Sequence, residues 1–280
     1  MIPFNEKLYE AIIKRSSSLC VGIDPCIDKL PESMIKQSKI NPAETLEKFC
    51  KQVIISTAPH CCAFKLQIAM FSSIGCESVL EIISKWIRKN FPDHILIIDA
   101  KRGDIGSTAE HYVSELYDRY NAQAATINPL MGTESISPFL ARKDKGLYIL
   151  CRTSNPGANE IQNLRLETGE RLFEKIASIA RDKWNKNFQI GLVVGATVPE
   201  ELKTVRKLCP NLPLLIPGVG AQGGSISEVI KSTIDAKNVL INSSRSIIFA
   251  SKNETWAAAA SNEAQRINNK INKLQSSNEN

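Results

Sequence analysis

Nowhere in these 280 residues does an apolar run reach the length that crosses a bilayer, which excludes a helical membrane protein. Histidine is sparse, at three residues, and the eight cysteines lie at positions 20, 26, 50, 61, 62, 76, 151 and 209. Among them is no CxxC pair and no histidine at ligand spacing, so reduced, mostly buried thiols of a cytoplasmic protein are expected rather than a disulfide framework. Charge of one sign is missing too: 35 basic against 29 acidic residues leave +6, with no long basic block and no interleaving of arginine with aromatics. That mild excess suits an anionic small ligand and is weak support for nucleic acid. The opening Met1-Ile2-Pro3-Phe4-Asn5-Glu6-Lys7 lacks the charged-then-apolar pattern of a signal peptide, so a soluble, cytoplasmic location without membrane partners is expected. No internal repeat or interdomain linker interrupts the chain.

What is present is apolar material for a sizeable core, 43% of residues, and a length that suits one α/β barrel. Short apolar runs recur at Leu19 to Asp24, Cys62 to Leu66, His94 to Asp99, Ala124 to Asn128, Gly146 to Cys151, Gln189 to Val194, Leu212 to Pro217 and Asn238 to Asn242. Each is followed by a plausible helix. Asn41-Pro42-Ala43-Glu44 offers an N-cap and a first-turn proline, and Ser107-Thr108-Ala109-Glu110 spells a capping box. Helical spacing puts Leu46, Phe49, Cys50 and Val53 on one face, and Val79, Ile82, Ile83 and Trp86 on another, as core stripes. Eight alternating units predict a parallel sheet closed as a (β/α)8 TIM barrel, with an extra N-terminal helix whose Phe4, Leu8, Ala11 and Ile12 lid the closed end. The barrel is expected over residues 1–260 and a polar tail over 261–280, a fraying helix with a disordered end. Two long polar connections, Pro25 to Ile40 and Asn155 to Thr168, fall on the catalytic face as candidate lids.

Charge is concentrated where the third run ends. Ile97-Ile98-Asp99-Ala100-Lys101-Arg102-Gly103-Asp104 carries an apolar strand straight into two carboxylates and an ammonium, and strand alternation puts Asp99 and Lys101 on one face. A solvated surface ion pair is the plain alternative for such a cluster. However, an apolar run without alternation is how a strand buried on both faces reads. Other polar residues also stand at strand ends: Asp24, Lys65, Asn128, Thr153-Ser154-Asn155 and Arg245. Singly, Asp24-Pro25 is a turn and Lys65 a snorkelling residue; jointly they mark the catalytic face. Pro217 to Gly224, with four glycines, and Asn242-Ser243-Ser244-Arg245 follow the last two strands, where barrels build a phosphate cradle. The expected ligand is a phosphate monoester whose reacting end faces Asp99 and Lys101. No metal site is expected, since lysines interleave the carboxylates.

These residues carry a resemblance. Asp99-Ala100-Lys101-Arg102-Gly103-Asp104-Ile105-Gly106, Phe64-Lys65, Thr153-Ser154-Asn155-Pro156-Gly157, Pro217 to Gly224 and Ser244-Arg245 resemble the orotidine 5′-phosphate decarboxylase family over nearly the whole chain. Val21-Gly22-Ile23-Asp24-Pro25 and Asn128-Pro129-Leu130-Met131-Gly132 look more like its longer bacterial subgroup. The resemblance implies loss of CO2 from orotidine 5′-monophosphate to give uridine 5′-monophosphate, the last step of de novo pyrimidine nucleotide synthesis, without cofactor or metal. It implies that Lys101 stabilises and protonates a C6 carbanion while Asp99 sits by the departing carboxylate. Lys65 would hold Asp99 and a ribose hydroxyl, and Asp24 would bind the ribose. Asp104, Ile105 and Thr108 would reach a neighbouring subunit's site in a homodimer. Ser154 would contact the pyrimidine, Pro217 would flank the pocket, and Gln222 and Arg245 would hold the phosphate. One departure is visible: many members have glycine where Ser244 precedes Arg245, and a side chain there changes the backbone approach to phosphate. Sugar-phosphate decarboxylases and aldolases of the same barrel superfamily share the Asp-x-Lys-x-x-Asp motif but use magnesium, so metal dependence separates the two readings. A catalytically silent nucleotide-binding protein is the alternative from another class.

Overall fold

The computed structural model describes residues 2–220, 223–233 and 238–277. Eight strands, β1 (Leu19–Ile23), β2 (Ala63–Gln67), β3 (Ile95–Arg102), β4 (Ala124–Ile127), β5 (Gly146–Arg152), β6 (Ile190–Val194), β7 (Leu214–Ile216) and β8 (Val239–Ser243), pair in sequence order and in parallel. The ring closes where Leu19 of β1 pairs with Ile241 of β8. This is the (β/α)8 barrel expected from the eight apolar runs. Strand ends differ from the runs by one to three residues: β1, β4 and β7 stop short of the ends of their runs, whereas β2, β3, β5 and β8 carry the ladder on into polar residues.

Two apolar layers hold the barrel. Inside, Cys20, Cys62, Ile97, Tyr148, Val193, Leu215 and Leu240 interdigitate; outside, a larger layer packs strands against helices. Each fully buried Leu, Ile or Phe contributes about 1.5–3 kcal/mol through removal from water. The helix Phe4–Arg15 closes one end, with Phe4, Leu8 and Ala11 buried on the inner layer beside Ala63, Ile95 and Ala124, which begin β2, β3 and β4. The Phe4 ring meets Tyr148 edge-on at 5.9 Å. Because that plug sits at the N-terminal ends of the strands, the opposite mouth is left for a site.

Several local expectations are met and others corrected. Asn41 caps the helix Pro42–Thr57, accepting from Glu44 N at 3.2 Å, and Leu46, Phe49, Cys50 and Val53 are buried on it. The capping box at Ser107 does not form: the helix Gly106–Val113 starts earlier, after Ile105, with no side-chain cap. Ile82 is 44% exposed, and the buried stripe of Glu77–Asn90 runs instead through Val79, Leu80, Ile83 and Ile87. Past Ser261 the described chain is helical, and residues 278–280, where the expected disordered end falls, lie outside the described residues. Trp256–Ser276 is one helix, and Ala260, Ala264, Ile267 and Ile271 bury one face of it in the outer layer. Pro25 to Ile40 folds into the helix Glu32–Ser38 with Leu30 and Met34 buried, and Asn155 to Thr168 holds only the short helix Ala158–Ile161. All eight cysteines are unpaired thiols, and seven are buried. Among the described residues no helix is long and apolar enough to cross a membrane.

Candidate active site

The strand-three sequence builds the centre of the site by leaving regular geometry. β3 and β4 shift register between Ile98 and Arg102, and Lys101 adopts φ +49°, a left-handed conformation that costs a residue with a side chain about 1–3 kcal/mol. Thr126 of β4 supports this bulge: its Oγ1 accepts from Ala100 N and Lys101 N, each at 3.1 Å, and donates to Asp99 Oδ1 at 2.8 Å. Just beyond, Arg102 is clamped through Nε and Nη2 to both oxygens of Glu115, at 3.0 and 2.9 Å, tying the strand end to the following helix.

Asp99 is therefore the hub. Lys65 Nζ donates to its Oδ2 at 2.8 Å and Lys101 Nζ to its Oδ1 at 2.6 Å. Lys65 and Asp99 are 4% and 6% exposed, so neither is a surface pair of little consequence. Burial opposes ionisation of Asp99, yet the two ammonium groups hold its carboxyl well below the usual carboxylate range. Burial likewise opposes the charge on Lys65, but Asp99 and Asp24 hold its ammonium above the usual lysine value. Asp24, just after β1, lies 4.0 Å from Lys65 Nζ through Oδ1 and accepts from Ser244 Oγ at 2.5 Å through Oδ2. Beneath them burial pushes the Cys20 thiol up to about 12, so it stays protonated.

Asp24, Lys65, Asp99, Lys101, Ser154, Pro217, Ser244 and Arg245 all line one cavity of about 260 Å³ at the C-terminal mouth. Lys101 keeps 45% of its side chain exposed, so an ammonium fixed at one side by Asp99 faces open space on the other. Opposite, the loop after β7 turns through left-handed glycines, Gly218 at φ +100° and Gly220 at φ +79°. A Cβ at Gly224 would lie 2.5 Å from Ala196 Cβ and 2.8 Å from Gly218 O, so only glycine lets the loop fold back here. Gln222 lies outside the described residues. Asp104, Ile105 and Thr108 do not line the cavity of their own chain: Asp104 Oδ1 accepts from Ile105 N at 2.8 Å, and Ile105 and Thr108 are exposed.

The sequence pointed to Asn128 as the polar end of β4, but its Oδ1 accepts from Leu130 N in a local turn outside the cavity. Thr126 takes that place, and Gln67 also lines the cavity without having been singled out, while Asn242, named with the segment after the last strand, lines it as well. A hydroxyl or amide inside an otherwise apolar strand was the available signal. Among the described residues no three His, Cys, Asp or Glu side chains gather to hold a metal ion. The oxygens of Asp99 are already bonded to lysine and threonine.

Charged groups mounted on rigid strand ends around the open mouth make this a (β/α)8-barrel enzyme. The model of the orotidine 5′-phosphate decarboxylase / HUMPS family matches residues 17–260, and the chain belongs to that family. The orotidine 5′-phosphate decarboxylase of Cupriavidus metallidurans is 46% identical over 272 residues, covering 96% of this chain and 98% of the relative. That of Verminephrobacter eiseniae is 46% identical over 269 residues, covering 94% and 96%. Among solved structures, Leishmania donovani OMP decarboxylase superposes with a TM-score of 0.83 at 33% identity, covering 98% of this chain and 99% of that one. Leishmania donovani UMP synthase matches at 36% identity and TM-score 0.82, covering 97% of this chain and 57% of that longer one.

Proposed function

We infer that this chain decarboxylates orotidine 5′-monophosphate to uridine 5′-monophosphate and CO2, the closing step of pyrimidine nucleotide synthesis. The observation that carries the reading is Asp99 pinned between the Lys65 and Lys101 ammonium groups at the mouth of the barrel, in a chain 46% identical to a decarboxylase of that name.

Loss of CO2 leaves an electron pair at C6 of the pyrimidine. An ammonium already fixed beside that carbon stabilises the new negative charge without reorganising, which is how preorganised groups lower a barrier. Lys101 supplies it: its Nζ then gives a proton to C6, the C6–H bond forms, and the neutral amine is recharged from solvent. Asp99 lies next to the departing carboxylate and fixes both lysines. Lys65 and Asp24 bind the ribose, Ser154 contacts the base beside Pro217, and Arg245 with the glycine-rich loop and Gln222 holds the phosphate. Binding energy from that distant phosphate supports orientation at the reacting end. Neither cofactor nor metal takes part. Asp104, Ile105 and Thr108 complete the site of a second copy, so the active form is a homodimer. Eight free thiols suit a reducing cytoplasm.

The test follows orotidine 5′-monophosphate by ultraviolet absorbance with purified protein in EDTA. Rapid loss of the orotate chromophore is expected. No change, with turnover only of sugar phosphates and added magnesium, places the chain in the other branch of its superfamily.

A further inference from the structure

Ser244 links the first and last strands of the barrel. It follows β8, and its side chain crosses to β1, where Oγ donates to Asp24 Oδ2 at 2.5 Å. The space it occupies exists because residue 22 has no side chain. A Cβ at Gly22 would lie 2.7 Å from Ser244 Cβ, 3.1 Å from its Oγ and 3.3 Å from Asn242 Oδ1. Since a contact below 3.0 Å forces something to move, a side chain at 244 and one at 22 exclude each other.

The bond divides the work of the Asp24 carboxylate. Ser244 occupies Oδ2, whereas Oδ1 is buried without a hydrogen-bond partner among the described residues and stands 4.0 Å from Lys65 Nζ. Both residues line the cavity. A buried carboxylate oxygen with no donor is costly unless a ligand supplies one.

We propose that Ser244 is a positioning residue for the sugar end of the substrate: it anchors Oδ2 of Asp24 so that Oδ1 is presented to a ribose hydroxyl. The proposal rests on the nucleotide reading above. It differs from a role at the phosphate, which the neighbouring Arg245 would otherwise suggest. Ser244 acts through Asp24, so its loss weakens binding of the hydroxyl and leaves the chemistry at C6 in place.

The experiment compares wild type with Ser244→Ala and Ser244→Thr, using calorimetric binding of uridine 5′-monophosphate and its 2′-deoxy and 3′-deoxy analogues, alongside steady-state decarboxylation. Ser244→Ala should weaken binding of the parent nucleotide about tenfold and raise KM with kcat nearly kept, the loss expected for one hydrogen bond to a charged group. Ser244→Thr, which keeps the hydroxyl, should restore most of it. With the deoxy analogue lacking the hydroxyl that Asp24 binds, the Ser244→Ala penalty should vanish. An equal penalty on all three nucleotides overturns the proposal and returns Ser244 to the phosphate. A second, independent arm reads stability. Gly22→Ala should be strongly destabilising beside Ser244 and much less so beside Ser244→Gly; the same loss in both backgrounds contradicts the packing. Failure of wild type to bind the nucleotide or release CO2 would sink the functional reading instead, and the stability arm would still report on the contact.

Discussion

Thr126 Oγ1 donates to Asp99 Oδ1 at 2.8 Å and in the same geometry accepts from two successive backbone amides, Ala100 N and Lys101 N. A hydroxyl has one proton and two lone pairs, and here all three are used. One side chain of β4 thereby fixes both the hub carboxylate and the left-handed turn that aims Lys101 at it.

Thr126→Val keeps the shape and removes the hydroxyl. Two partly buried amides lose their acceptor, so stability should fall by about 1–2 kcal/mol in urea unfolding. Because the bulge then relaxes, kcat should fall on the order of 10-fold to 100-fold, as small misplacements of reacting groups do. Unchanged kcat would show that the lysines alone hold the array.

The Asp99–Lys65 pair sets a pH window for stability. Asp99 is held low, so its share is complete above the unfolded carboxylate value of about 3.9 and is lost as pH falls through the lower folded value. Lys65 is held high, so its share is complete below about 10.4 and is lost as pH rises through the higher folded value. Asp99→Asn leaves a buried ammonium poorly paired and should cost about 3–5 kcal/mol at neutral pH. Denaturant unfolding should show the gap to wild type narrowing below about pH 4, the acidic edge of the window. A gap that stays constant into acid would mean the carboxylate is not held low.

Arg245 lines the cavity just past the end of β8, outside the hydrogen bonds that Lys65, Lys101 and Thr126 make to Asp99. Arg245→Ala should raise KM and weaken product binding by roughly 10-fold to 100-fold, the worth of a charge-assisted hydrogen bond to phosphate. Turnover at saturating substrate should change far less. A loss confined to kcat would move Arg245 from binding to chemistry.

The proposed homodimer, in which Asp104 with the exposed Ile105 and Thr108 completes a second copy's site, is tested by complementation. Lys101→Ala and Asp104→Ala proteins, each inactive, should regain activity when unfolded and refolded together. In a mixed dimer one site carries both defects and the other neither, so random pairing predicts about a quarter of wild-type activity. No recovery from correctly sized dimers would place Asp104 in its own chain's site.

The barrel was legible because each strand is an apolar run buried on both faces, and the cavity because barrel strands deliver their polar ends to one mouth. Asp24, Lys65, Asp99 and Lys101 could be found by that rule alone. The role of Thr126 could not, because inside a strand a single polar residue says nothing of the neighbour it meets. Nor could the bulge at Lys101, which depends on a hydroxyl from another strand. Ala260, Ala264, Ile267 and Ile271 do fall at helical spacing, but asparagine, lysine and serine on the other faces made the segment look like a tail. The failed capping box shows the limit of a four-residue pattern: the chain enters the helix at Gly106, φ +57°, so Ser107 is already inside the first turn.

The most direct test is Lys101→Ala, assayed for orotidine 5′-monophosphate decarboxylation in EDTA and, on the same protein, for binding of uridine 5′-monophosphate. If Lys101 stabilises the carbanion and delivers its proton, kcat should drop on the order of 1,000-fold or more while the nucleotide still binds within about tenfold of wild type. Substantial turnover, or a loss of binding as large as the loss of rate, would contradict that account.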